Sequence, residues 1–332
     1  MNKTNNKNPK QILNNHAQNY LPSNYRWWAD YIFHFSHVTN IASILNLGKL
    51  LSVNKVNSLN STTLNDNASA EVRNGTSRPV LDCVRFYFRP LTPTQFNNEG
   101  IRAKNEFSKY NAHCPVPIFL LFDSNMLNDS RVWFSEESLA SHYQSHNIFQ
   151  GSHNLDKAPF NEIYHVGPFD STISNMIVKR RHAEVIVKDE FDLTYLKKIV
   201  CRTKAEAETL KNLLKSQATL NYADMICVPE EMSINSETIF LNKYLQITQV
   251  ELTKEFLKVY LSQPCHYKRN LYIQISDTED NFICSFSDKH YVFGFKLDFT
   301  ANVNGLLDNR QIVKVEIFID DNFVFSSVFK LI

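Results

Sequence analysis

The sequence predicts an α+β protein that closes with a β-sandwich-like module, and three observations carry that prediction. Short runs rich in branched and aromatic residues, bounded by turn formers, recur at residues 83–88, 116–122, 132–134 and 185–187 and read as strands. Helix signals fall between them. Beyond Asn235 the texture changes to a succession of strand-like runs with little helix among them.

Residues 1–22 are polar and Asn/Lys-rich and are expected to be frayed. Tyr25, Trp27, Trp28, Tyr31, Ile32, Phe33 and Phe35 then announce the first strand. Thr39 is placed to cap a short helix carrying Ile41, Ile44 and Leu45 on one face, with Gly48 as its stop. Residues 54–82 form a polar stretch that is long for a structureless loop in a folded domain, which marks it as functional or disordered. A short helix is expected over 136–145. Thr203 and Glu206 carry a capping-box signature that opens a helix to about Gln217. Residues 252–261 read as helical, followed by strands at 271–276, 281–286, 290–299, 311–319 and 323–331. Val313, Val315, Ile317 and Ile319 alternate with polar neighbours, and Asp321-Asn322 is the expected hairpin turn. The expected organisation is a flexible terminus (1–22), an α+β domain (23–230) and a β-rich domain (231–332).

Composition excludes several classes. The 332 residues include only 7 glycines, all isolated, so neither G-x-G-x-x-G nor G-x-x-x-x-G-K-[ST] occurs and the usual glycine-rich phosphate cradles are ruled out. Thirty-five basic against 34 acidic residues leave a net charge of +1, so no global field draws the chain to nucleic acid or to an anionic membrane. Any basic surface is local. Six scattered cysteines without a C-x-x-C spacing read as reduced thiols. No apolar h-region or membrane-length apolar run occurs, so the expectation is a soluble, cytoplasmic protein with no membrane partner.

Three segments concentrate chemistry. In residues 32–45 a strand presents His34 and Ser36 on one face and turns directly into a helix start bearing Asn40, which suits a ligand with ribose and amide edges. His34 bonded to a strand-end carbonyl and His37 at the surface is the alternative. In Val84-Arg85-Phe86-Tyr87-Phe88-Arg89, alternation puts Arg85, Tyr87 and Arg89 on a polar, aromatic face fit to stack a ring and bind phosphate, or simply to be solvated. In residues 179–188 a basic cluster precedes Glu184 at the entry of an apolar strand, a carboxylate either held ionised by its neighbours or solvated. His142 and His146, with His153 and Glu136, lack H-E-x-x-H and cysteine support, so no metal is expected.

Taken in order, His34-Phe35-Ser36-His37…Asn40-Ile41…Ile44-Leu45…Gly48, Phe86-Tyr87-Phe88…Thr92-Pro93 and His182-Ala183-Glu184-Val185-Ile186-Val187 resemble the DarT family of NAD-dependent ADP-ribosyltransferase toxins acting on bases in single-stranded DNA. The resemblance spans roughly residues 25–220. It implies an ADP-ribosyltransferase fold, a split and bent β-sheet with NAD in a cleft. It also implies that His34, Ser36 and Asn40 contact NAD, that Tyr87 or Phe88 lines the nicotinamide pocket, and that Glu184 is the catalytic glutamate. Ser36 stands where the family more often has threonine, which keeps the hydroxyl. An essential arginine precedes the F-Y-F strand in the family; Arg73 and Arg78 both qualify here, and distance from the strand favours Arg73.

On this resemblance NAD is consumed as a substrate: cleaving the nicotinamide–ribose bond builds positive charge on the ribose, which a carboxylate stabilises. Single strands expose the base edges that accept the transfer. Arg78, Arg85 and Arg102 are the expected strand-binding residues. DNA is favoured over RNA as acceptor, the base is open between thymine and guanine, and a cognate antitoxin is expected. The rival readings are a non-catalytic binding module and a protein-directed transferase or NAD glycohydrolase.

Overall fold

The structure, a computed structural model, describes residues 8–58, 78–102, 113–139, 148–263, 268–292 and 298–331. Its framework is built from β1 (Tyr31–His37), β3 (Cys83–Tyr87), β4 (Pro117–Asp123), β5 (Val132–Phe134), β6 (Glu184–Lys188), β8 (Leu196–Cys201) and β9 (Ile226–Cys227). They form one sheet of order β5-β6-β3-β1-β4-β8-β9, antiparallel except for the β8–β9 pair, while β2 (Lys49–Leu51) and β7 (Glu190–Asp192) pair apart as a two-stranded sheet. β4 is almost wholly buried, which explains its unbroken apolar run Ile118-Phe119-Leu120-Leu121-Phe122. The sheet is split. β1 pairs with β4 along its whole length but with β3 only at Phe33↔Tyr87, so β1 and β3 diverge from that point and leave a wedge between two half-sheets.

Apart from the hydrophobic strands, several elements differ from their sequence expectation. The N-terminus is not frayed where described: α1 (Pro9–Tyr20) is capped by the Asn8 side chain, and Pro9, Leu13, Ala17 and the following Leu21 repeat every four residues along one buried stripe. The polar composition hid that stripe. Residues Ser23–Asp30 form a 3₁₀ segment rather than strand, with Trp28 fully buried and its Nε1 donating to the Thr238 carbonyl at 3.0 Å. Helix α2 (Val38–Leu47) is capped by His37, not Thr39, because the His37 side chain accepts the Thr39 backbone N–H. Gly48 ends it in the left-handed region (φ +75°), where its N–H reaches the carbonyls of Ile44 and Leu45.

The polar stretch carries short helices at its two ends, Val53–Ser58 and Arg78–Leu81. Its middle lies outside the described residues. Residues 136–139 are not helical, and the remainder of the expected 136–145 helix is also outside. Thr203 caps the Lys204–Leu213 helix as expected, but the chain breaks at Leu214 and restarts as Ser216–Tyr222.

Residues 252–261 are not helical. β10 (Ile247–Leu252) and β11 (Phe256–Leu261) form a hairpin in which Leu257, Val259 and Leu261 are buried and alternate with half-buried neighbours, a period of two. With β14 (Asp298–Asn302) they make a three-stranded sheet. β12 (Arg269–Ser276), β13 (Phe282–Tyr291), β15 (Ile312–Ile319) and β16 (Asn322–Lys330) make a four-stranded one, of order β13-β12-β15-β16. The single strand expected at 290–299 is divided between β13 and β14. The β15–β16 turn falls one residue early, on Asp320-Asp321, whose φ values of 51° and 64° suit a primed two-residue turn that acidic residues tolerate.

This β-rich part docks on the Lys204–Leu213 helix. Ser326 of β16 donates its backbone N–H to Thr209 Oγ1 at 3.2 Å and accepts from Asn212 at 2.7 Å, and one continuous core takes in buried residues from Ile12 to Leu331, with a small separate cluster at Val80, Leu139 and Ile186. Among the described residues no helix is long and apolar enough to cross a membrane.

Candidate active site

The wedge between β1 and β3 brings some of the expected site residues together: Arg85, Tyr87 and Glu184 share a face, and His34 reaches them at the Arg85 carbonyl. On its β3 side, Tyr87 stands in register with Glu184 of β6, and the antiparallel alternation brings Arg85, Tyr87 and Glu184 to the same face. The Glu184 carboxylate is wholly buried and is gripped by Arg85, Nε to Oε2 at 2.8 Å and the terminal nitrogen to Oε1 at 2.6 Å. Such a fork-to-carboxylate pair fixes orientation as well as charge. The Leu139 N–H lies 3.4 Å from Oε1, and Ser135 exchanges contacts with the Glu184 backbone. Burial alone lowers the Arg85 pKa, and the facing Glu184 charge more than reverses it, so Arg85 stays cationic.

Arg85 is therefore not a free strand-binding side chain. Glu184 is held from the neighbouring strand rather than by the basic cluster that precedes it: Arg180 pairs with Glu136 and Glu162, Arg181 bonds His165 and the Gly167 carbonyl, and His182 bonds the Val178 carbonyl.

Tyr87 is nearly buried, and burial raises its pKa; its hydroxyl bonds Thr94. Thr94 sits in the Pro93–Asn98 helix, whose N-cap is Thr92 and whose Gln95 bonds Glu99, the Ile239 carbonyl and the Leu91 N–H. The Thr-Pro step thus builds a rigid brace behind Tyr87. Phe88 points the other way, 1% exposed and packed edge-on against Phe134 and Phe160, so it is a core residue.

On the β1 side, His34 Nδ1 lies 2.9 Å from the Arg85 carbonyl and bridges the wedge. A carbonyl only accepts, so Nδ1 carries the proton and Nε2 is the acceptor nitrogen. Burial lowers the His34 pKa and keeps the ring neutral. His34, Arg85 and Glu184 thus form a chain of contacts across the split. One turn on, Asn40 Nδ2 donates to Ser36 Oγ at 3.0 Å, linking the strand to the first turn of α2.

The remaining arginines divide. Arg102 is buried, with its guanidinium on the carbonyls of Glu99 and Phe96 and over the Tyr244 ring, so it braces the fold rather than reaching for a strand. Arg78 opens a short helix, and nothing is described of its side chain; Arg73 lies outside the described residues, as do His142 and His146. No group of three or more metal-ligating side chains converges among the described residues. Two arginines not singled out as site residues, Arg89 and Arg181, line a cavity together with Tyr25, Phe96 and Phe240. The alternation of Arg85, Tyr87 and Arg89 was the only sequence signal for it.

The model of the DarT family, described as ssDNA thymidine ADP-ribosyltransferase, matches residues 33–232. The chain belongs to the DarT family. The match begins at Phe33, the single point where the half-sheets join, and includes every site residue discussed above. No curated protein matches the chain.

Solved structures similar to it include Thermus sp. 2.9 DarT in complex with ADP-ribosylated ssDNA, at 17% identity and a TM-score of 0.48, covering 64% of this chain and 96% of that one. The same Thermus DarT with NAD+ is similar at 16% identity and a TM-score of 0.45, covering 64% and 98%. Thermosipho africanus DarTG in complex with ADP-ribose is similar at 15% identity and a TM-score of 0.43, covering 61% and 50%.

Proposed function

We propose that this DarT-family chain transfers ADP-ribose from NAD to thymidine in single-stranded DNA and releases nicotinamide, with residues 23–230 as the transferase domain. The observation that carries the reading is the buried Glu184 carboxylate, fixed by Arg85 opposite Tyr87 at the mouth of a split sheet, within a match to a family described by that activity. NAD is the donor bound by the Thermus relative.

The chemistry follows from the groups present. The bond broken joins the ribose anomeric carbon to the nicotinamide nitrogen; nicotinamide leaves with the electron pair and the ribose becomes oxocarbenium-like. An ionised Glu184 stabilises that charge through a ribose hydroxyl, because a carboxylate has about four acceptor sites and Arg85 occupies two. The bond formed joins the anomeric carbon to a thymine nitrogen. The ring N–H of thymine sheds its proton in that step, and Glu184 is the base placed to receive it.

Glu184 is fully buried, so substrate reaches it only after the Leu139 segment or the Arg85 side chain shifts. His34, Ser36 and Asn40 contact the NAD side of the wedge, Tyr87 flanks the nicotinamide, and Arg73 orients the pyrophosphate. Unrestrained base modification would poison the host, so this reading carries with it a toxin–antitoxin setting and a cognate antitoxin.

The test is incubation with labelled NAD and separate pools of single-stranded DNA, RNA and protein. The parent labels thymidine-containing single-stranded DNA, and Glu184→Gln does not. Equal labelling by both proteins, or label confined to RNA or protein, overturns the reading.

A further inference from the structure

We propose that the cavity between Arg89 and Arg181 seats one nucleotide of the acceptor strand, with its phosphate between the two guanidiniums and its base against an aromatic wall. The proposal rests on the transferase reading above. The cavity has a volume of about 310 Å³, and its lining includes Tyr25, Arg89, Phe96, Arg181, Glu237 and Phe240. Neither Tyr87 nor Glu184 lines it; the chain ties it to them, since Arg89 lies two residues past Tyr87 and Arg181 three before Glu184, which bounds their Cα separations from that pair at about 7 and 11 Å.

The charge arrangement points to an anion. Arg89, 2% exposed, spends its hydrogen bonds on the carbonyls of Pro90, Ile163 and His165 and stacks over Trp28. Arg181 bonds His165 Nδ1 and the Gly167 carbonyl, and its Nε is buried with no hydrogen-bond partner. Among the described residues neither guanidinium pairs with a carboxylate, whereas the adjacent Arg180 holds two. Burial, and then the neighbouring Arg181 charge, lowers the Arg89 pKa to about 9. Two like charges facing one cavity without a counter-ion are costly, and a phosphate between them offsets that cost.

The walls add a base. Phe96 is 57% exposed, and Lys243, outside the lining, holds its Nζ 5.9 Å from the Phe96 ring, so a stackable face and a further cation stand together there. A basic groove with aromatic platforms is how unpaired strands are held without sequence readout. Glu237 is the one acidic lining residue; it is solvent-exposed, where its charge is screened.

The test uses the full chain and a labelled thymidine-containing single-stranded oligonucleotide, with affinity read by anisotropy across a salt series. Arg181→Gln weakens binding roughly tenfold at low salt and flattens the salt slope by about 0.7, one single-strand phosphate contact. Phe96→Ala weakens it roughly tenfold with the slope unchanged. Phe96 is exposed, so its variant keeps the test valid should Arg181→Gln fail to fold. Unchanged affinity and slope in both variants overturn the proposal, and an unaffected Phe96→Ala alone overturns the base seat. A loss of NAD binding in Arg181→Gln with strand binding intact assigns the anion to NAD and also overturns it. Failure of the parent to label single-stranded DNA overturns the transferase reading instead.

Discussion

Arg85 and Glu184 face one another from adjacent strands in a two-pronged ion pair, 2.8 and 2.6 Å, with the Glu184 side chain fully buried and that of Arg85 27% exposed. The pair makes Arg85 a positioning residue for Glu184. Removing the cation leaves a buried carboxylate without its counter-charge, which favours the protonated form. Arg85→Met is expected to lower kcat about a hundredfold and to cost about 2 kcal/mol of stability, less than a fully buried pair because Arg85 is partly solvated. Arg85→Lys keeps the charge but not the fork and recovers part of the rate. An Arg85→Lys no faster than Arg85→Met, or a kcat unmoved in Arg85→Met, would remove Arg85 from the positioning role.

That pair also shows where sequence reasoning stopped. The motif around Glu184 was legible, and so was the face shared by Arg85 and Tyr87, because strand alternation is a local property. Which strand lies beside that face is a long-range fact, and it decides whether Arg85 meets a phosphate or Glu184. The strands of the central sheet were readable because each is a short apolar run, β4 most plainly. Helix α1 was not, since its four-residue stripe is thin against eight surrounding polar residues, and residues 252–261, which hold β11, read as helix because Leu252, Phe256, Leu257, Tyr260 and Leu261 also fall at helical spacing. The cavity of Arg89 and Arg181 joins distant parts of the chain, so the alternation that puts Arg89 on a polar face carries no sign of Arg181.

His37 and His113 make the fold acid-sensitive. His37 caps α2 and bonds the Phe323 backbone, while His113 bonds the Gly100 carbonyl and the Asn322 side chain, so both lie beneath the β15–β16 turn. Burial lowers each to about 4, from an ordinary value of 6.5. In the unfolded chain both take up a proton as the pH falls through about 6.5, while the folded rings stay neutral until about 4. Stability is therefore full above pH 6.5 and declines as the pH drops toward 4, by up to about 3 kcal/mol per histidine. Urea midpoints at pH 7.5, 6 and 5 check the slope. His37→Asn, which retains a capping side chain, should flatten it, and an unchanged slope would exclude His37 as a source.

Thr209 tests whether the β-rich part and the transferase domain unfold together. Its hydroxyl donates to the Ala205 carbonyl at 2.8 Å and accepts the Ser326 N–H at 3.2 Å, all buried. Thr209→Val keeps the shape but strands the Ser326 N–H without an acceptor, at a cost of about 1–3 kcal/mol. The readout is built into the sequence, because all 3 tryptophans, Trp27, Trp28 and Trp133, precede residue 134 while the strands beyond residue 246 have none. A core that runs unbroken between the two parts predicts that tryptophan fluorescence and far-ultraviolet dichroism shift to lower urea by the same amount in Thr209→Val. An early dichroism transition with the fluorescence midpoint unmoved would show instead that the β-rich part melts on its own and that its contact with the Lys204–Leu213 helix leaves the transferase domain's stability unchanged.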